Sequence, residues 1–151
     1  MISILDIPNE HLTPGMRQYR DIKQEYPDCI VMLRMGDFYE MFYEDAIISA
    51  RDLDITLTKR GKGVKEAPLS GIPHHAIEPY LGKLVEKGHK VAIVEQLEDP
   101  AQAKGLVKRG VVRIVTAGTL VESNLIGDNN NYLAALTQKH DGVHLARTDM
   151  S

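Results

Sequence analysis

Tryptophan is missing from this 151-residue chain and phenylalanine nearly so; two Phe and six Tyr are its whole aromatic stock. So thin a supply excludes a core built broadly on rings and makes the placement of each ring informative. Cysteine is equally scarce. Cys29 stands alone, which excludes an internal disulfide. Lying in the apolar run Cys29-Ile30-Val31-Met32-Leu33, it reads as a small buried core residue, and a reducing, cytosolic setting fits it. No apolar run approaches the ~20 residues of a membrane-spanning helix. The N-terminus carries Asp6 and Glu10 without a basic start, unlike a secretory leader.

Familiar catalytic signatures are lacking as well. There is no phosphate-binding Gly-x-x-x-x-Gly-Lys-Ser/Thr loop and no dinucleotide fingerprint. Ser49, Ser70 and Ser123 lack a nucleophile-elbow context. His74 and His75 are adjacent, and neighbouring residues rarely face one ion, so a turn role outweighs a ligand role. Asp37, Asp54 and Glu66 are available for a metal-dependent nuclease cluster, although nothing in their spacing demands one.

What the chain does contain suits one soluble domain, or one domain plus a fragment, long enough to bury a core. The net charge of −3 conceals an uneven distribution. Up to Thr58 there are 5 basic and 11 acidic residues, whereas Lys59 to Arg113 holds 11 basic and 6 acidic. The basic residues gather at Lys59, Arg60, Lys62 and Lys65, and again at Lys104, Lys108, Arg109 and Arg113. Such stretches mark either a polyanion contact or solvated loops.

Thr13-Pro14 predicts a capped helix start, with Met16, Tyr19, Ile22 and Lys23 at helical spacing and an end near Tyr26-Pro27. Gly36-Asp37 separates two strand-forming runs, so a two-residue hairpin is favoured over a helix capped by Asp37. A helix should follow from about Glu44 to Leu53, then a half-buried strand from Asp54 to Thr58. Pro68-Leu69-Ser70-Gly71-Ile72-Pro73 reads as a shaped loop. Pro79 begins a helix with Gly88 as its left-handed stop. Val91 to Val94 and Val111 to Val115 are strands around a second basic loop. Glu122 to Asn131 reads as a polar linker, and Tyr132 to Leu136 with Val143 to Ala146 as a hairpin turning through Asp141-Gly142. Such a hairpin is marginal alone, which suggests a fragment of a longer protein.

Half of the aromatic residues, Phe38, Tyr39, Phe42 and Tyr43, fall in one six-residue window. On a strand, Phe38 and Glu40 project to the same side, next to the tight turn at Gly36-Asp37. Two readings stand on the residues alone. Phe38 is an ordinary core aromatic with Glu40 a rim charge; or the ring is a wedge that enters a base stack while the acid meets a base edge. Apolar wedges part base steps from the minor groove, at a cost of a few kcal/mol per step. The cost is least where a base is already mispaired or unpaired.

Gly36-Asp37-Phe38-Tyr39-Glu40-Met41-Phe42 resembles the mismatch-recognition motif of the MutS family of DNA mismatch-repair proteins. Further matches follow in order: Leu53 to Gly61, Gly71 to Ala76, Tyr80 to Leu84, Val91 to Gln96 and Val111 to Thr116. The resemblance covers nearly the whole chain from Thr13. It implies an α+β fold, a mixed β-sheet flanked by about three helices. The mismatch-recognition domain would span 1–121, a linker 122–131, and the first strands of a truncated connector domain 132–151. The resemblance makes Phe38 the stacking ring and Glu40 the base-contacting acid. It places Met35, Gly36, Asp37, Lys59, Arg60, Leu69, His75, Lys104 and Arg109 close to the DNA, Lys59 and Arg60 on a loop near its backbone. His74 departs from the family, standing where an aromatic is common. The implied partners are mismatched double-stranded DNA, a second copy in the full-length protein and a MutL-type repair protein. No membrane is involved, and the protein would be cytoplasmic and DNA-associated. No cofactor or metal is expected in this segment, nor catalysis; ATP and Mg²⁺ belong to segments beyond it. A nuclease-like domain and a protein-interaction module are the alternatives.

Overall fold

The computed structural model describes residues 1–119, 132–139 and 142–149, the last two spans as strands only. The linker expected over 122–131, and Asp141 in the second hairpin's turn, lie outside the described residues.

Local chemistry accounts for most elements. Helix α1 (Pro14–Glu25) begins where expected: Thr13 Oγ1 accepts the Met16 N–H at 3.3 Å, and Pro14 occupies the first turn, where its missing N–H costs nothing. Strands β1 (Cys29–Met35) and β2 (Phe38–Phe42) form the favoured hairpin, with Met35 paired to Phe38 around Gly36-Asp37. Gly36 has φ +59 while Asp37 keeps a negative φ, so positive φ falls at the first turn position alone, as in a type II′ turn. Helix α2 (Tyr43–Leu53) follows directly. Helix α3 (Ile77–Glu86) starts slightly ahead of Pro79, which sits in its first turn. Gly88, at φ +86, ends it: the Gly88 and His89 amides donate to the Val85 and Leu84 carbonyls, a Schellman closure. Strands β5 (Lys90–Gln96) and β6 (Arg109–Val115) match expectation, as do β7 (Tyr132–Lys139) and β8 (Gly142–Asp149).

Two expectations are corrected. The strand foreseen at Asp54 to Thr58 forms only as β3 (Thr58–Arg60), because Asp54 closes α2 in the left-handed region at φ 55. Lys59 and Arg60 therefore lie on a strand rather than a loop. The segment read as a shaped loop is β4 (Ala67–Pro73), paired on both sides. Its prolines sit near the ends: β2 reaches only to Leu69, leaving nothing of it opposite Pro68, and Pro73 is the last residue.

The main sheet has six strands in the order β3-β4-β2-β1-β5-β6, mixed because β1 and β5 run parallel while every other pair is antiparallel. With three helices against it, the α+β expectation is borne out. α2 and α3 cover one face, burying Ile30, Met32, Met41, Ile72, Val91 and Ile93 beneath Ala46, Leu81 and Leu84. The other face is covered by α1 and the N-terminal turns, through Ile4, Leu12, Met16 and Tyr19 over Val31, Leu33, Phe42 and Val94.

A buried polar knot pins α1 to α2. Lys23 Nζ reaches Asp45 Oδ1 at 2.8 Å and the Cys29 carbonyl at 2.6 Å, while the Val31 amide donates to Asp45 Oδ2 at 3.0 Å. The Tyr19 hydroxyl donates to Asp45 Oδ2 at 2.7 Å. Burial pushes the Asp45 carboxyl above its usual range against the pull of Lys23, and burial beside Asp45 raises the Tyr19 hydroxyl. Among the described residues no helix is long and apolar enough to cross a membrane.

Candidate functional site

Strand register assembles the site. Phe38 lies opposite Pro73, Glu40 opposite Gly71 and Phe42 opposite Leu69; Leu69 in turn faces Thr58, and Ala67 faces Arg60. Alternation therefore brings Phe38, Glu40, Leu69, Gly71, Thr58 and Arg60 to one face. It is the face that carries α1, and α1 sits over β1 rather than over the β3 side.

Along β2 the side chains on this face are unequal. Phe42 is buried and meets the Tyr19 ring edge-on, centroids 5.2 Å apart. Phe38, on the same strand and face, is 45% exposed. The chain's only two phenylalanines thus have opposite fates, and the core-aromatic reading of Phe38 does not hold. Beside the ring is a depression of about 270 Å³ lined by Phe38, Glu40, Thr56, Thr58, Leu69 and Gly71. Glu40 lies low in it, with its side chain 11% exposed. A Cβ at Gly71 would stand in ordinary contact with Phe38 Cδ1 (3.7 Å) and Glu40 Cγ (3.8 Å), so glycine keeps the gap between ring and acid open.

Glu40 does not stand alone. Arg60 grips it with both terminal nitrogens, Nη2 to Oε1 at 2.7 Å and Nη1 to Oε2 in a closer contact. The same guanidinium lies 5.8 Å from the centroid of the Phe42 ring. This two-pronged pairing of planar groups is the strong form of the arginine–carboxylate bond.

The hairpin turn holding Phe38 is braced from two sides. The Asp37 carbonyl accepts the His74 amide at 2.8 Å, and His74 Nδ1 lies 2.9 Å from it. Arg34 Nε donates to the Gly36 carbonyl at 2.5 Å, and its guanidinium lies 3.5 Å from Glu95. Tyr39 hydrogen-bonds Glu95, and its hydroxyl is pushed up to about 12 by burial and by that carboxylate.

The remaining candidate residues scatter. Met35 is the last residue of β1 and packs against the α1-side core. Leu69 is buried but lines the depression. His75 is exposed beside the turn, its ring edge-on to His74 at 5.7 Å. Lys104 is exposed in the β5–β6 loop. Because β5 runs parallel to β1, that loop and the Gly36-Asp37 turn share one end of the sheet. Lys59 alternates away from Arg60 and pairs with Glu66 at 2.8 Å, which raises its ammonium. Arg109 is engaged internally: Nε donates to the Arg34 carbonyl at 2.7 Å and Nη1 to Gln18 Oε1 at 2.8 Å. Burial lowers its pKa, and its geometry is that of a tie between β6, β1 and α1.

Sequence reasoning missed Thr56, Thr58 and Gly71. The two threonines and Arg60 follow a period of two that was available, whereas Gly71 required knowing that its segment is a strand. Asp37, Asp54 and Glu66 are not drawn together: they occupy the turn, the end of α2 and the Lys59 pair. Among the described residues no group of three or more His, Cys, Asp or Glu is placed to hold a metal ion.

Comparison with known proteins decides the family. The family model described as MutS domain I matches residues 13–124. The chain belongs to the MutS family. It is 58% identical over 136 residues to the DNA mismatch repair protein MutS of Methanosarcina mazei, covering 88% of this chain and 15% of that protein. The MutS of Alkaliphilus metalliredigens is 52% identical over 143 residues, with 93% and 16% covered. For the MutS of Fervidobacterium nodosum the figures are 51% over 150 residues, 99% and 18%. The chain thus spans less than a fifth of the length of these MutS relatives.

Proposed function

We propose that this chain recognises mispaired or unpaired bases in duplex DNA, as domain I of a mismatch-repair protein. Phe38 enters the base stack from the minor groove, and Glu40 hydrogen-bonds the base beside it. The exposed ring carries this reading: a half-open phenylalanine on a face where Val31, Leu33, Phe42 and Leu69 are buried, held on a braced two-residue turn with an acid at its foot. A flat ring on a rigid support reads how easily a base step opens rather than which bases form it, and a mispaired step opens most cheaply.

In this reading the segment binds and does not catalyse. Residues 1–121 form the recognising unit, 122–131 a linker and 132–151 the start of a connector domain. ATP and Mg²⁺, a second copy of the protein and a MutL-type partner engage the family's further length, and the protein works on DNA in the cytoplasm. Competition between a duplex with one G·T pair and its fully paired counterpart tests the reading in the full-length protein. The wild type should favour the G·T duplex and Phe38→Ala should not; an unchanged preference in Phe38→Ala would overturn it.

A further inference from the structure

We infer that Arg60 is a latch on Glu40, holding the acid in the free protein and leaving for a DNA phosphate only when a mispaired base takes its place. This deepens the proposed function and rests on it.

The two partners are unequally fixed. Glu40 belongs to an interior strand, flanked by β4 and β1, and its side chain is 11% exposed. Arg60 ends a three-residue edge strand and its side chain is 42% exposed. Any separation therefore moves the arginine. Among the described residues no other cation forms a salt bridge with Glu40.

The pairing answers a physical difficulty in the site. A bare carboxylate at the foot of a wedge repels the phosphates on both sides of the groove it must approach. With Arg60 across it, the acid presents no net charge while the protein searches paired DNA. Paired DNA offers Phe38 no step to enter and Glu40 no base edge. Drawing the guanidinium away would then leave a nearly buried carboxylate without a counter-charge, which is strongly unfavourable. Arg60 stays. At a mismatch the ring goes in, a base N–H donates to the carboxylate or the carboxyl takes up a proton from solvent and donates it to the base, and the guanidinium is free to grip a phosphate. Reading a base and tightening on the backbone become one event.

The signature is an extra phosphate contact made on mismatched DNA alone. Each such contact steepens the dependence of log affinity on log salt concentration by about 0.9. The full-length protein should therefore show a steeper slope, by about that amount, on a G·T duplex than on the paired one. Arg60→Gln should abolish the difference, and Arg60→Lys, which keeps a cation, should preserve it. Glu40→Gln unlocks Arg60 permanently, so its slope on paired DNA should rise to the mismatch value. The latch is overturned if Arg60→Gln keeps the wild-type difference, or if Glu40→Gln leaves the paired slope where it was; the ion pair would then be a fixed strut. If Arg60→Gln fails to fold, the Glu40→Gln slope decides alone. Phe38→Ala in the same series separates the two levels. A retained mismatch preference there defeats the underlying reading, whereas a lost preference with an unaltered Arg60→Gln slope difference defeats the latch only.

Discussion

Two phenylalanines four positions apart on one strand show how little of a residue's role lies in its type. Phe42 is sealed under Tyr19 and Arg60, and Phe38 stands half in solvent. Truncating Phe42 to alanine removes a buried ring and should cost about 3–5 kcal/mol of stability. Phe38→Ala should change the melting midpoint little, yet lose the stacking contribution to mismatch binding, about 1–3 kcal/mol for a ring on a base. Thermal melts beside mismatch competition for both variants check the division. Comparable destabilisation by the two would mean that Phe38 is a core residue after all. Asp45 poses the opposite case, a charge whose work is wholly internal. It accepts from Lys23, Tyr19 and the Val31 amide. Asp45→Ala leaves the Lys23 ammonium buried and unpaired, at an expected cost of about 3–5 kcal/mol, read from denaturant unfolding.

At the scale of elements, the hairpin turn is the piece that aims the ring. Gly36→Ala meets no neighbouring atom, so its effect is confined to placing a side chain at φ +59. The expected loss is about 1–2 kcal/mol, with weakened mismatch preference because the turn that aims Phe38 is strained. A melt and a competition assay on that one variant test both. A second junction responds to pH. The Asp52 carboxylate takes Arg51 Nε at 2.7 Å and His89 Nε2 at 2.6 Å, joining the end of α2 to the approach to β5. Those two partners, Arg51 first, hold Asp52 well below the usual carboxylate range. An acid depressed in the folded state contributes stability above its unfolded pKa of about 4 and loses it as pH falls through the folded value. Asp52→Asn should therefore flatten the acid limb of the stability–pH curve while leaving its shape above neutrality alone. The elements that could be read in advance are those with local signals: the Thr13-Pro14 cap, the Gly36-Asp37 turn and the Gly88 stop each act within a few residues. β4 could not be read that way. Its prolines speak against a strand locally, and its strand character comes from β2 and β3 on either side, so Gly71 and the depression it floors were hidden with it. The Glu40–Arg60 pair is hidden for the same reason, since its partners are 20 residues apart and meet only through β4.

Over the whole molecule, net charge and proposed partner pull against each other, for a chain of net charge −3 must settle on a polyanion. Burial and pairing resolve part of this: Asp45 is buried, Asp52 is paired with Arg51 and His89, and Glu40 is neutralised by Arg60. The Gly36-Asp37 turn, His75 and the β5–β6 loop, which carries Lys104 and Lys108 alongside Glu98 and Asp99, share one end of the sheet. Basic residues of that loop would hold the duplex in register without reading it, because phosphate contacts carry no sequence information. Replacing Lys104 and Lys108 together with glutamine in the full-length protein should weaken binding to paired and G·T duplexes by the same factor. It should lower both salt slopes by about 0.9 for each phosphate no longer held and leave the preference between the duplexes intact. Titrations of each duplex at several salt concentrations supply all three quantities. A change in preference with unchanged slopes would place those lysines at the base rather than at the backbone, and the turn would no longer be the only reader at that end of the sheet.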